Sequence, residues 1–116
     1  MLRVMVVDDA LYMRVTYRNM LQGSDVEIAA EAENGDEAIA MYERVKPDVV
    51  LLDLTMPGMS GQEVLRRIME LDRKARVIVV SAMGQEIFIK ECLQLGAKSF
   101  MIKPFKEKAL LNMLGL

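Results

Sequence analysis

Residues 48–57 read D-V-V-L-L-D-L-T-M-P, and this stretch decides the fold. The run of four aliphatic side chains from Val49 to Leu52 is typical of a strand that is buried on both faces of a parallel sheet. Asp53 follows this run directly, and Pro57-Gly58 separates it from the next helical pattern. The stretch therefore predicts a central strand with a carboxylate at its carboxyl end.

The rest of the chain alternates between similar apolar runs and helical patterns, which is typical of an α/β fold. The predicted strands are Arg3–Val7, Val26–Ala32, Asp48–Leu52, Arg76–Val80 and Ser99–Ile102. The predicted helices are Leu11–Leu21, Asp36–Val45, Gln62–Leu71, Gln85–Leu95 and Lys106–Leu114. We therefore expect a parallel sheet with helices on both of its faces.

The composition of the runs also predicts the order of the strands. The first, third and fourth runs are continuously aliphatic, so we expect them in the centre of the sheet. The second run alternates, with Val26, Ile28 and Ala30 expected on one face, and the fifth run begins with a polar residue. These two runs are expected at the edges. With right-handed crossovers, the sequence predicts a flavodoxin-like, doubly wound sheet in the order 2-1-3-4-5.

Length and composition predict one domain over residues 1–116 and exclude several classes of function. The single cysteine, Cys92, excludes an intramolecular disulfide and fits the cytoplasm. No apolar run has the length of a membrane span, so we expect no membrane partner. The net charge is −2 without a basic stripe, which argues against binding of nucleic acid. The absence of histidine excludes a Ser-His-Asp triad and a histidine metal site.

Polar side chains follow four of the predicted strands: Asp8 and Asp9 the first, Asp53 the third, Ser81 the fourth and Lys103 the fifth. Because parallel strands end at the same edge, we expect these side chains around one crevice. Each also has an ordinary interpretation. Asp9 and Ser81 could cap helices, Lys103 could be a solvated lysine, and Asp8 could lie in solvent.

Three carboxylates in one crevice must take up a proton, splay apart or bind a cation. Two carboxylates ~4 Å apart repel by about 4 kcal/mol at an effective dielectric constant of about 20. Oxygen ligands without histidine or cysteine favour Mg²⁺ or Ca²⁺, and an open crevice with few protein ligands favours Mg²⁺. A metal beside Asp53, with Ser81 and Lys103 near the same point, predicts phosphoryl transfer to the Asp53 carboxylate. The chain has no glycine-rich nucleotide loop, so the donor must arrive already activated.

Five motifs in order resemble those of the response-regulator receiver domains over the whole chain: V-V-D-D at 6–9, L-L-D-L-T-M-P at 51–57, Gly61, S-A at 81–82 and K-P-F at 103–105. The resemblance implies that Asp53 accepts a phosphoryl group from a sensor histidine kinase. It implies a switch that catalyses its own phosphorylation and dephosphorylation, and not an enzyme with a separate substrate.

The resemblance also implies the roles of the surrounding residues. Asp9, Asp53 and the backbone carbonyl of Thr55 would be ligands of Mg²⁺, with Asp8 close beside them. Lys103 would bind the phosphoryl group, and its bond to Pro104 would be cis, as X-Pro bonds in fixed turns can be.

Two further positions resemble the switch residues of the family. Ser81 stands where threonine is common, and Phe100 stands where tyrosine is common. A phosphoryl group on Asp53 would draw the Ser81 hydroxyl inward, and Phe100 would move into the vacated space. Phe100 could equally be a core residue of an edge strand. Thr55 and Met83 occupy positions that tune dephosphorylation in the family.

The S-A-M-G-Q run at 81–85 resembles that of chemotaxis-type, CheY-like receivers. Ile87 and Phe88 are apolar residues that lie beside the polar face of the predicted fourth helix. They form either a candidate output surface or ordinary half-exposed positions. We expect a monomer whose partners are the kinase, a downstream protein such as a flagellar motor switch or phosphorelay effector, and a phosphatase.

Two alternatives remain. The chain could be the receiver of a DNA-binding transcriptional regulator, which would favour a dimer. An aspartyl-phosphate hydrolase is the other alternative, although it would typically carry a second aspartate where this chain has Thr55, and it would need a substrate cap.

Overall fold

The computed structural model describes all 116 residues and shows five strands and five helices in strict alternation. The strands are β1 (Leu2–Val7), β2 (Val26–Ala32), β3 (Val49–Asp53), β4 (Val77–Ala82) and β5 (Ser99–Lys103). The helices are α1 (Leu11–Leu21), α2 (Gly35–Val45), α3 (Gly61–Leu71), α4 (Glu86–Leu95) and α5 (Glu107–Met113). The largest difference from the predicted bounds is at β4, which continues to Ala82 because that residue pairs with Lys103.

All five strands form one parallel sheet in the order β2-β1-β3-β4-β5, which confirms the predicted flavodoxin-like topology. The continuously aliphatic runs occupy the three central strands, and all residues of β3 are buried. The alternating run and the run with a polar start are the two edges. Continuous aliphatic sequence and central position agree here because both faces of a parallel sheet are covered by helices.

Two core clusters lie on opposite faces of the sheet. Leu52 lies in one cluster with Val64 of α3 and Ile89 of α4. Leu51, its neighbour in β3, lies in the other with Tyr17 of α1 and Leu110 of α5. Successive residues of the central strand therefore support different helices, and the end of β3 is held from both sides.

The prediction that Val26, Ile28 and Ala30 share one face of β2 is wrong for Ala30. The register shifts between Val4 and Met5, so that Val4 pairs with Ile28 and Met5 pairs with Ala30. The shift inserts one extra residue in β2, and Ala30 therefore packs on the face opposite to Val26 and Ile28.

Gly61 allows the start of α3 to lie directly against the end of β3. A Cβ atom at this position would lie 2.7 Å from the Cα of Leu54 and 3.0 Å from the backbone oxygen of Asp53. The side chain of Ser60 caps the helix by accepting a hydrogen bond from the Glu63 N–H at 3.2 Å. The close approach fixes the loop that carries Asp53. None of the helices combines the length and apolar character that a membrane crossing requires.

Candidate metal and phosphoryl-acceptor site

The polar residues predicted at the strand ends meet at the carboxyl edge of the sheet. Asp8 and Asp9 follow β1 directly, Asp53 ends β3, and Lys103 ends β5. Carboxylate oxygens of the three aspartates lie within 4.8 Å of one another. Asp8 and Asp53 are buried, whereas Asp9 is exposed. The crevice therefore holds a cluster of carboxylates with one side open to solvent.

Asp8 is the most buried of the three acids, with 1% of its surface exposed. Its Oδ2 accepts a hydrogen bond from Lys103 Nζ at 3.0 Å, and its Oδ1 accepts one from the Ala10 N–H at 2.9 Å. The interpretation that Asp8 lies in solvent is therefore wrong. The carboxylate is held in place by a cation and a backbone donor.

Lys103 lies between two buried carboxylates. Its Nζ is 3.0 Å from Asp8 Oδ2 and 3.6 Å from Asp53 Oδ1. Burial lowers the pKa of Lys103, but the hydrogen bond to Asp8 and the charge of Asp53 outweigh burial, so that the pKa is raised overall. The ammonium group is therefore charged at neutral pH, and the solvated-lysine interpretation is wrong. The bond from Lys103 to Pro104 is cis.

Burial raises the pKa of Asp53 to about 6, because a charged carboxylate is poorly solvated at this depth. Lys103 and the Thr55 N–H, which donates to Asp53 Oδ1 at 3.1 Å, oppose this rise. The negative charges of Asp8 and Asp9 add to it. The repulsion expected from the sequence is thus present in the structure, and the carboxylate is mostly ionised near neutral pH.

Ser81 is fully buried, and its Oγ has no hydrogen-bond partner. A buried polar group without a partner costs about 1–3 kcal/mol. Neither Ser81 nor Asp9 is a helix cap, because the N-cap residues of α1 and α4 are Ala10 and Gln85. The hydroxyl of Ser81 is therefore available to a group that enters the crevice.

Two residues of the site were missed by sequence reasoning. The side chain of Gln85 bonds both to the end of β4 and to the loop after β3, and the S-A-M-G-Q run that contains it does not predict these contacts. Arg14 is only 8% exposed and donates from Nη1 to the backbone oxygen of Asp8 at 2.8 Å. A signal for Arg14 was present, because it lies at helical spacing from the buried residues Tyr17 and Leu21 of α1. A charged residue on an apolar helix face needs a polar partner.

Unlike Ser81, the candidate switch residue Phe100 and the candidate output residues Ile87 and Phe88 are exposed. Phe100 is 41% exposed and belongs to neither core cluster, so the interpretation of Phe100 as a core residue is wrong. Ile87 is 77% and Phe88 is 45% exposed on the first turn of α4. Phe88 also lines a cavity of about 330 Å³ together with Thr55 and Gln85.

The family model described as the response regulator receiver domain matches residues 4–115. The chain therefore belongs to the response regulator receiver domain family, and receiver domains of this type are signalling switches and not classic enzymes. This assignment removes the basis for the hydrolase alternative.

Within this family, the chain is a CheY-like receiver. It is 48% identical over 114 residues to the chemotaxis protein CheY of Listeria monocytogenes, with 98% of this chain and 96% of that protein covered. CheY in the CheX–CheY–BeF3–Mg²⁺ complex from Borrelia burgdorferi is 36% identical, with a TM-score of 0.92, and the match covers 97% of this chain and 86% of that one. A LuxR-family response regulator from Aurantimonas is 30% identical, with a TM-score of 0.91 and coverage of 97% and 81%.

Proposed function

We propose that the chain is a phosphorylation-driven switch of a two-component pathway, in which Asp53 accepts a phosphoryl group from the phosphohistidine of a sensor kinase. One observation carries this proposal. The Asp53 carboxylate lies at the end of the central strand, 5% exposed, grouped with two further acids and 3.6 Å from the Lys103 ammonium.

The proposed reaction is a displacement at phosphorus. An Asp53 oxygen forms a bond to phosphorus while the P–N bond of the donor breaks, and the bonding electrons go to the leaving imidazole nitrogen. The reaction needs an ionised carboxylate, which a pKa of about 6 supplies at neutral pH. Lys103 would bind an oxygen of the transferred group, and the unpaired Ser81 hydroxyl would bind another.

The oxygen atoms at the crevice fit Mg²⁺. Asp8, Asp9 and Asp53 supply carboxylate oxygens from one small region, and the backbone carbonyl of Thr55 would be a further ligand. When bound, Mg²⁺ would neutralise the charge of the phosphoryl oxygens as they approach the carboxylates. The Borrelia relative, which forms a complex with BeF3 and Mg²⁺, supports the same chemistry for this chain.

We propose that phosphorylation changes the surface of α4, β5 and α5. The Ser81 hydroxyl would move toward the phosphoryl group, and the exposed ring of Phe100 would turn inward. Ile87 and Phe88 are the apolar residues that a downstream protein would contact. The similarity to CheY favours a chemotaxis output, such as a flagellar motor switch protein, and a phosphatase as a further partner. We place this activity in the cytoplasm, in a monomer with one domain over residues 1–116.

A second candidate is the receiver of a DNA-binding transcriptional regulator. The LuxR-family neighbour, with a TM-score of 0.91, has the same fold and supports this reading. Light scattering before and after addition of BeF3⁻ and Mg²⁺ separates the two candidates. A dimer that forms only in the presence of BeF3⁻ favours the transcriptional regulator, whereas a monomer in both states favours the chemotaxis type.

The function is tested with acetyl phosphate and Mg²⁺, followed by mass spectrometry of the intact protein. We expect wild type to gain the mass of one phosphoryl group and Asp53→Asn to gain none. Asp25→Asn is the matched control, because Asp25 is exposed in the turn before β2. Asp9→Ala should bind Mg²⁺ much more weakly in calorimetry. Uptake by Asp53→Asn at the wild-type level would falsify the assignment, and steady turnover of a phosphomonoester would contradict the switch.

A further inference from the structure

The side chain of Gln85 connects the end of β4 to the loop after β3, at the border of the crevice. Its Oε1 accepts a hydrogen bond from the Ala82 N–H at 2.9 Å, and its Nε2 donates one to Thr55 Oγ1 at 2.9 Å. Thr55 follows Asp53 by two residues, and Ala82 follows Ser81 directly. One carboxamide therefore spans the space between the ends of β3 and β4.

The N–H of Ala82 points toward the end of β3. Asp53 pairs with Val80 in the sheet, and the Leu54 N–H donates to the Val80 carbonyl at 3.0 Å. Alternate residues of a strand direct their backbone polar groups to the same neighbouring strand. Ala82 is two residues after Val80, so its N–H faces the side on which Asp53 lies. Backbone N–H groups in such positions bind anions.

We propose that Gln85 is a positioning residue that stabilises the unphosphorylated crevice by occupying the Ala82 N–H with its amide oxygen. The inference rests on the proposed function of Asp53. When Asp53 carries a phosphoryl group, a phosphoryl oxygen replaces Gln85 Oε1 as the acceptor for the Ala82 N–H. The Gln85 side chain then also releases the Thr55 hydroxyl and turns toward solvent.

The release of Gln85 reaches α4 because Gln85 is the residue at which that helix begins. Its backbone oxygen accepts the first helical hydrogen bond, from the Ile89 N–H at 3.0 Å, and no side chain caps the helix. The bond to Thr55 thus ties the first turn of α4 to the loop after β3. That turn carries Ile87 and Phe88. Displacement of Gln85 frees this turn and connects phosphorylation of Asp53 to the candidate output surface.

The test measures binding of BeF3⁻ with Mg²⁺ by wild type and Gln85→Met. Methionine keeps the length of the side chain and removes both hydrogen bonds. Because wild type must break the Gln85 contact before the ligand can use the Ala82 N–H, we expect Gln85→Met to bind BeF3⁻ about fivefold more tightly. Gln62→Met is the matched control, since the one hydrogen bond of the Gln62 side chain is to Glu91, at 3.4 Å, and involves neither Ala82 nor Thr55. Its affinity should equal that of wild type.

Two further readouts separate this role from a merely structural one. In the ligand-free protein, Gln85→Met should shift the NMR signal of the Ala82 amide and speed its exchange with solvent, while Gln62→Met leaves both unchanged. Thr55→Val removes the hydroxyl at the other end of the contact. Because both substitutions act through the same side chain, the effects of Gln85→Met and Thr55→Val on affinity should be non-additive.

An affinity of Gln85→Met equal to that of wild type overturns the inference. A weaker affinity also overturns it, and would make Gln85 a ligand of the bound group. If wild type binds no BeF3⁻ and takes up no phosphoryl group, the proposed function fails instead, so the two failures are distinguishable. If Gln85→Met does not fold, Gln85→Ala provides the same comparison.

Discussion

Asp53→Asn should stabilise the metal-free protein at neutral pH. The carboxylate is 5% exposed and lies close to Asp8 and Asp9, so that the folded state holds its negative charge at a cost. Asparagine has nearly the same shape and no charge. The substitution therefore removes the unfavourable solvation and the repulsion while it leaves the packing at the end of β3 in place.

The magnitude follows from the pKa of Asp53, which rises from 3.8 to about 6 on folding. A rise of about two units corresponds to about 3 kcal/mol of lost stability at neutral pH. This rise is already net of the favourable contact with Lys103 Nζ at 3.6 Å, which opposes it. We therefore expect Asp53→Asn to gain about 2–3 kcal/mol in the free energy of unfolding at about pH 7.5.

The sign of the pH dependence follows from the direction of the shift. Between pH 3.8 and about pH 6, Asp53 carries a proton more often in the folded state than in the unfolded state, because its pKa is higher in the folded state. The contribution of Asp53 to wild-type stability therefore decreases as the pH rises through this window, and it reaches its full unfavourable value above the folded pKa. The gain in the free energy of unfolding from Asp53→Asn should be, at about pH 4.5, about one-third of the gain at about pH 7.5.

Urea unfolding followed by circular dichroism, with EDTA present, measures this difference. Asp25→Asn is the control, because it removes an exposed carboxylate and should show no comparable gain. Mg²⁺ should then stabilise wild type more than Asp53→Asn and reverse the order, since a cation that binds the folded state stabilises it. A variant that is less stable than wild type in EDTA, or an advantage that does not shrink in acid, would refute the reasoning.

Three further substitutions test the surroundings of Asp53. Lys103→Met should slow phosphoryl uptake by at least about tenfold while calorimetry still detects Mg²⁺ binding; an unchanged rate would exclude Lys103 from the reaction. Gly61→Ala places a Cβ 2.7 Å from the Cα of Leu54 and should lower the free energy of unfolding by about 2 kcal/mol in urea; full stability would contradict the close approach. Arg14→Met removes the donor at 2.8 Å from the Asp8 carbonyl and should weaken Mg²⁺ binding several-fold, whereas the more exposed Arg18→Met should not; equal effects would count against the positioning role of Arg14.

The topology could be predicted because it depends on how many faces of each strand are covered. Runs such as Val49 to Leu52 have no polar face and can lie only in the centre of a covered sheet. The residues at which the strands end could be predicted less accurately than the strand order. The predicted end of β4 at Val80 came two residues early, because the pairing of Ala82 with Lys103 depends on a partner strand that is distant in the sequence.

The bulge in β2 could not be predicted, because the two adjacent alanines at positions 29 and 30 fit either face of the strand. Only the pairing with β1 selects the shifted register. The shifted register also changes the position of residues other than Ala30. Glu31 pairs with Val6 in the shifted register, on the face covered by α1, and contacts Arg14 there at 3.3 Å and Arg18 at 2.6 Å. The support of the Asp8 loop by Arg14 therefore depends on a feature that local sequence does not specify.

The meeting of the acids at one edge could be predicted, because parallel strands leave no other arrangement of their carboxyl ends. Their different environments could not. Asp8 and Asp9 are adjacent in sequence, yet one is 1% exposed beside Lys103 and the other is exposed to solvent. This difference arises from the turn into α1, where the Asp8 side chain accepts the Ala10 N–H, and residue types alone do not determine such a turn.

In the proposed mechanism, Ser81 and Gln85 together determine how the energy of phosphorylation is divided. The Ser81 hydroxyl has no partner in the unphosphorylated protein, so a phosphoryl group gains that hydrogen bond without breaking another. The neighbouring Ala82 N–H is already bonded to Gln85, so the phosphoryl group gains it only by displacing that side chain. The first contact would favour binding, and the second would convert part of the binding energy into release of α4. A stronger Gln85 contact would therefore reduce sensitivity to the phosphoryl donor and increase the dependence of the output surface on phosphorylation.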